Sequence, residues 1–323
     1  MNIKFWGTRG SIPISFSSRD IEYKLARALE RTGDHNLSSE KKIKQFIKSL
    51  PFSIRGTFGS NTSCVQVKGE DKKQIIICDC GTGIRDLGTS LAAAMNRDGP
   101  QNFSIHIFLS HLHWDHINGF PFFIPAYMQG TTINFYGYHD TLEESMILQQ
   151  NPTNFPVPLP AMGADIRFNV LELDQTYEIG GFSIEGIKQS HPGDSFGFRF
   201  EQKNKIFVYS TDSEHYDDVD RDDYPFVPFF SNADLVVFDA QYKFADTLTS
   251  KKDWGHSSSM TGIELALRSG VKRLCLFHND PASCDEKLEQ HALDAQKYAR
   301  LCPCPGCRDL EVFTAYDGLE INL

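Results

Sequence analysis

The densest chemistry in this 323-residue chain is Ser110-His111-Leu112-His113-Trp114-Asp115-His116, directly behind the apolar run Ile105–Leu109. In an extended backbone alternate side chains point the same way, so His111 and His113 at a strand end face one point. The chain must then turn, and Asp115 and His116 at that turn face a second point a few ångströms away. Imidazoles with a carboxylate form a ligand set suited to zinc, iron or manganese. A purely structural cluster would bury several polar rings without a common partner, at a heavy desolvation cost.

The elements that must position these residues are legible as short apolar runs broken by Gly, Asn and Asp turns. Ile3–Trp6, Cys64–Val67, Gln74–Cys78 and Ile105–Leu109 read as strands of a first sheet. Ile133–Tyr136, Ile166–Leu171, Phe182–Ile187, Gly197–Phe200 and Ile206–Tyr209 read as a second group, followed by Leu235–Phe238, Arg273–Phe277, Glu311–Phe313 and Leu319–Ile321. Helical periodicity marks Ile21–Glu30, Glu40–Ser49, Ile84–Ala94, Met260–Ser269 and Asp285–Arg300. Ser259 and Thr261 are the expected caps of the Met260 helix, and Gly270 its stop. Runs of strands with interspersed helices predict an α+β arrangement of sheets packed face to face and covered by helices.

Charge is unevenly spread. Residues 1–60 hold 11 Lys+Arg against five acids, a net +6, while the whole chain is −10, which leaves −16 on the remainder. An acidic body argues against a long polyanion wrapped over the surface, because such binding needs many basic contacts. The basic, helical stretch at about 16–56 reads as an insertion in a single domain spanning 1–323. It would serve as a lid or as a surface for a homodimer. No apolar run reaches the roughly 18–20 residues of a membrane helix. Met1–Gly7 lacks a signal-peptide layout, so a cytoplasmic chain with reduced cysteines is expected.

His111-x-His113-x-Asp115-His116 after an apolar strand resembles the signature of the metallo-β-lactamase superfamily, and the other expected pieces occur in order. They are Gly7-Thr8-Arg9-Gly10-Ser11, Ser60–Cys64, Cys78-Asp79-Cys80-Gly81-Thr82-Gly83, His191-Pro192-Gly193, Ser210-Thr211-Asp212, Trp254-Gly255-His256-Ser257 and Phe277-His278-Asn279. The resemblance implies a four-layer αββα sandwich with its active site along one edge of the paired sheets. It implies that His111, His113 and His191 hold one divalent metal, that Asp115, His116 and His278 hold another, and that Asp212 bridges them. Zinc is the expected metal, with manganese or iron as alternatives, and a metal-bound hydroxide would be the nucleophile. By the same resemblance Asp79 supports the ligands from behind and His256 contacts the scissile group as a general acid.

Other features are read from the residues themselves. Gly81-Thr82-Gly83 precedes a helix and could offer free N–H groups to a phosphate. The Phe120-Pro121-Phe122-Phe123 stretch could wall an apolar pocket for a base. Cys302, Cys304 and Cys307 are spaced for a third, structural zinc, with Cys284 or His291 as fourth ligand. The competing reading of that cluster is a proline-stiffened loop with free thiols. His106 reads as a satisfied sheet residue, His215 as a residue near Asp212 without a role, and His291 as having none.

Within the superfamily the motifs resemble the phosphodiesterase, tRNA 3′-processing nuclease and phosphoribosyl cyclic phosphodiesterase branches. The nucleases carry a long basic arm between the positions matching His191 and Asp212. Here only 212 − 191 = 21 positions separate the two, and an acidic run, Asp217-Asp218-x-Asp220-x-Asp222-Asp223, follows. The expectation is therefore a dinuclear phosphodiesterase acting on a small anionic phosphodiester, such as a cyclic nucleotide. The alternatives are a thioester or lactone hydrolase on the same site, an RNA 3′-processing nuclease, and a non-catalytic metal-binding module.

Overall fold

A computed structural model describes residues 1–215, 219–302 and 310–323. Asp217, Asp218, Cys304 and Cys307 lie outside the described residues.

The first sheet has the order β14-β1-β2-β3-β4-β5-β6, built from β1 (Asn2–Gly7), β2 (Cys64–Lys68), β3 (Gln74–Cys78), β4 (Ser104–Phe108), β5 (Thr132–Gly137), β6 (Asp165–Val170) and β14 (Glu320–Asn322). The second has the order β13-β12-β11-β10-β9-β8-β7, from β7 (Tyr177–Ile179), β8 (Phe182–Gln189), β9 (Ser195–Gln202), β10 (Lys205–Ser210), β11 (Leu235–Asp239), β12 (Arg273–Phe277) and β13 (Glu311–Thr314). The run at Ile133–Tyr136 and the next at Ile166–Leu171 thus belong to the first sheet, correcting the sequence grouping. Parallel pairing of β4 with β5 and of β5 with β6 carries them there, and parallel order leaves no mark on local periodicity. The short β7 escaped the sequence reading altogether.

Alternation along the strands explains the layers. Ile76, Cys78 and Phe108 meet Phe198, Phe200 and Phe207 between the sheets. Their neighbours Ile75, Ile77, Ile105 and Ile107 face outward, onto Ile84, Leu87 and Met95 of a helix. On the other sheet Val236, Phe238, Leu274 and Leu276 pack outward onto Ile263, Ala266 and Ala295. Each central strand is therefore apolar on both faces, as strands covered on both sides must be. The result is the four-layer αββα sandwich.

The helices are α1 (Ser18–Leu29), α2 (Glu40–Ser49), α3 (Phe52–Arg55), α4 (Ile84–Asp98), α5 (Trp114–Ile117), α6 (Leu142–Gln149), α7 (Phe226–Phe230), α8 (Phe244–Thr247), α9 (Ser259–Arg268) and α10 (Asp285–Leu301). The basic stretch forms α1 to α3 and is tied to the body through Lys24, whose ammonium lies 2.6 Å from Asp285. The cap of α9 is Ser258, whose hydroxyl accepts from Thr261 N–H at 3.3 Å, one residue before the expected position. Gly270 closes the helix with φ +66°, a backbone that suits glycine. No helix among the described residues is long and apolar enough to cross a membrane.

Candidate metal centre

The parallel strands β3, β4, β10, β11 and β12 all deliver a polar residue at or just past their carboxyl ends, the edge where open parallel sheets generally bind ligands. Asp79, Asp212 and His278 sit there with left-handed backbones, φ 58°, 50° and 59°. Such a backbone costs roughly 1–3 kcal/mol outside glycine and persists only where the surroundings impose it.

These strand ends bring the remote residues together. Asp212 is the centre: one oxygen lies 3.7 Å from His111 Nε2 and 3.8 Å from His191 Nε2. Its other oxygen lies 3.3 Å from His116 Nε2 and 3.4 Å from His278 Nε2. His113 Nδ1 is 3.1 Å from His191 Nε2, and Asp115 Oδ2 is 3.2 Å from both His116 and His278. Ligand atoms of His111, His113 and His191 fall within 4.8 Å of one another, as do those of Asp115, His116 and His278. All seven residues expected to hold metal therefore meet in one cleft.

The back of the cleft fixes their orientation. Asp79 accepts from Ser110 N–H at 2.8 Å, Ser110 Oγ–H at 2.8 Å and Tyr209 O–H at 2.7 Å. Its carboxylate also lies 2.7 Å from His116 Nδ1. His191 Nδ1 meets the Gly255 carbonyl at 2.8 Å, His278 Nδ1 meets Gln241 at 2.9 Å, and Ser11 N–H donates to Asp115 at 2.8 Å. Each of these imidazoles presents Nε2 forward. His111 Nε2 and His116 Nε2 are buried and have no hydrogen-bond partner, although carboxylate oxygens stand close by. Two orphaned, forward-facing nitrogens beside unneutralised carboxylates are a donor set that fits a divalent cation.

The electrostatics reflect how closely these groups are crowded. Burial pushes the pKa of His111 well down, so its ring is neutral and ready to ligate. For Asp212 burial opposes ionisation, but His278, His116 and His111 outweigh it and hold the carboxyl well below its usual range. Burial likewise disfavours charge on His116, yet Asp212, Asp115 and Asp79 together push it well up.

His256 is buried beside the same residues, its Nδ1 4.0 Å from Asp212 and 2.7 Å from Asp239. Burial opposes its protonation, but Asp239 prevails and raises the pKa to about 9. Asp239 escaped the sequence reading, where its only signal was an acid ending a strand. Also missed were Glu214, which accepts from Asp253 and Gly255 N–H at 2.9 and 2.8 Å, and Trp114, 80% exposed at the cleft mouth. Glu214 holds the loop whose Gly255 carbonyl orients His191. A Cβ at Gly255 would come within 2.2 Å of His191 Nδ1.

Two expectations do not hold, and a third loses the fourth ligands suggested for it. The amides of Gly81-Thr82-Gly83 donate to Ser63 O, Thr62 Oγ1 and Thr62 O, which leaves none for a phosphate. Phe120 and Phe123 are fully buried in the core, and Phe122 packs on Phe155 with ring centroids 5.4 Å apart, so they wall no pocket at the cleft. Cys302 caps the far end of α10 from Cys284, and a helix of 17 residues separates them by about 25 Å. His291 lies on the same helix, about 16 Å along its axis from Cys302, too far to share an ion with it. Cys302 joins no group of candidate ligands among the described residues.

Residues 74–279 match the model of the beta-lactamase superfamily domain. The chain belongs to that superfamily. It is a metal-dependent hydrolase by that membership. Ribonuclease BN of Proteus mirabilis is 26% identical over 228 residues, covering 53% of this chain and 70% of that protein. The metallo-beta-lactamase fold protein YhfI from Bacillus subtilis superposes with a TM-score of 0.62 at 17% identity, covering 99% of this chain and 98% of that one. The short form of human tRNase Z gives a TM-score of 0.58 at 17% identity, covering 100% and 99%.

Proposed function

We propose that this superfamily member is a dinuclear metal phosphodiesterase acting on a small phosphodiester. The observation that carries the proposal is Asp212, which turns one oxygen to His111 and His191 and the other to His116 and His278. In this reading His111, His113 and His191 would hold one divalent ion, Asp115, His116 and His278 would hold the other, and Asp212 would serve both. A pair of such ions supplies acidified water and offsets charge building on the phosphoryl oxygens.

The chain's own groups do the rest. Asp79 and Gln241 fix the tautomers and tilts of His116 and His278. His256, kept protonated by Asp239, donates its proton to the departing oxygen, a role worth roughly 10²–10⁴-fold. Ribonuclease names among the relatives favour RNA as a second reading. Against it stands the connection from His191 to Asp212, where β9 and β10 form a tight hairpin joined by Lys203 and Asn204. That leaves no room for an arm to grip a long substrate.

The test is hydrolysis of bis(p-nitrophenyl) phosphate by zinc- and manganese-loaded protein, with metal content measured in parallel. Two metal ions per chain and turnover that drops at least about 10³-fold in Asp212→Ala are expected. A fully metallated wild type that leaves the diester intact overturns the proposal and brings thioesters and lactones forward.

A further inference from the structure

A cavity of about 940 Å³ opens beside the metal cleft, between the segment carrying Tyr242 and Trp254 and the face of α10. The cleft itself is about 430 Å³, and Ser11 lines both spaces. Tyr242 forms the partition: its ring stands perpendicular to that of His256 at 5.4 Å and 6.4 Å from that of Trp254. The two spaces adjoin at Ser11, so the cavity is the large concave surface next to the metal cleft.

The lining is unusual for a surface with nothing to bind. Trp254 and Phe244 are 53% and 45% exposed, and both face the cavity. Lys251 lays its ammonium 3.5 Å over the Trp254 ring and 5.3 Å from that of Tyr242. Large aromatic side chains left half exposed around a concave space mark a binding site for a flat, apolar group. Ser259 on α9 and His291 on α10 also line the cavity, their Oγ and Nε2 paired with each other at 2.8 Å. Three lysines and three aspartates also line the cavity, so their formal charges cancel. Cancellation disfavours a second phosphate there and favours a neutral planar group with polar edges.

We propose that this cavity takes the nucleobase of the substrate, with Trp254 and Phe244 as the stacking surface and the Ser259–His291 pair at the base edge. The proposal rests on the phosphodiesterase reading and narrows its substrate class to nucleotide diesters. Stacking on an aromatic face tolerates any base, because every base has a π-face, while the edge contacts favour one over another.

Two diesters with the same leaving group separate the cavity from the chemistry: the p-nitrophenyl ester of thymidine 5′-monophosphate and methyl p-nitrophenyl phosphate. Wild-type, Trp254→Ala and Phe244→Ala proteins are compared, both variants at exposed positions. The preference in kcat/KM for the nucleotide ester over the methyl ester is expected to fall about tenfold in Trp254→Ala, mainly through KM, and less in Phe244→Ala. Calorimetric binding of thymidine 5′-monophosphate is expected to weaken by a similar factor. Turnover of both esters with an unchanged preference in both variants overturns the nucleobase site and leaves the phosphodiesterase standing. Absence of turnover in wild type removes the phosphodiesterase, and binding then decides the cavity: nucleotide bound and weakened by Trp254→Ala upholds it. Absent or unaltered binding overturns it.

Discussion

Two sets of buried histidines in this molecule behave in opposite ways. His106, inside β4, meets Gln74 at 2.8 Å through one nitrogen and Tyr136 at 3.2 Å through the other. His215 meets Tyr224 O–H at 2.6 Å and stacks on Phe238 with centroids 5.4 Å apart. Burial holds His106 down to about 4 and His215 down to about 3, so both are neutral and satisfied. In the cleft, His111 and His116 are as buried but stand beside carboxylates and keep Nε2 atoms without hydrogen-bond partners. Burial alone therefore does not make a histidine a ligand. An unmet Nε2 beside a shared carboxylate marks a candidate ligand, because a cation would repay the desolvation of both.

Among the histidines outside the metal trios, the largest effect is expected at His256. His256→Gln is expected to lower kcat by about 10²-fold or more, with KM little changed. Asp239→Asn, which leaves the ring in place but removes the charge that keeps it protonated, is expected to lose a comparable factor. A full-rate Asp239→Asn enzyme would break the proposed acid pair.

Removing metal comes next. Chelation is expected to lower the melting temperature by several degrees, since an ion at 1,000 times its Kd contributes about 4 kcal/mol to the folded state. Substituting His106 by Gln should leave that shift intact. Equal melting temperatures with and without chelator would place the cleft in the same class as His106.

The smallest effect is acid sensitivity. A histidine whose folded pKa lies below its unfolded value of about 6.5 takes up a proton on unfolding, so stability falls as pH drops below that value. For His106 the loss runs down to about pH 4, and for His215 to about pH 3. His106→Gln is expected to show a shallower decline than wild type in denaturant midpoints between pH 7.5 and 5. An identical slope in both would mean that His106 is protonated in the folded protein.

Much of the architecture was legible in one dimension. β1 to β4 and α4 follow from alternation and 3.6-residue periodicity, because both patterns are set by the backbone within a few residues. His111, His113, Asp115 and His116 were legible for the same reason: covalent spacing brings them together whatever the rest of the chain does. His191, Asp212 and His278 could be assigned only by resemblance, since nothing local says that residues so far apart in sequence will meet.

The sequence by itself determined the local ligand cluster, the apolar strands on both faces and the short connection that excludes an arm. Tertiary structure alone decided that β3, β10, β11 and β12 end at one edge, which is what turns Asp212 toward both trios and Asp239 toward His256. It also decided that the Gly81–Gly83 amides are already taken by Thr62 and Ser63, and that Phe120 and Phe123 serve the core. The aromatic cavity beside the cleft is likewise a product of packing, formed where the loop bearing Trp254 stands off from α10. Hydrogen-bond partners and cavities depend on which distant segments pack together, and a linear sequence records that only through the free energy of the whole fold.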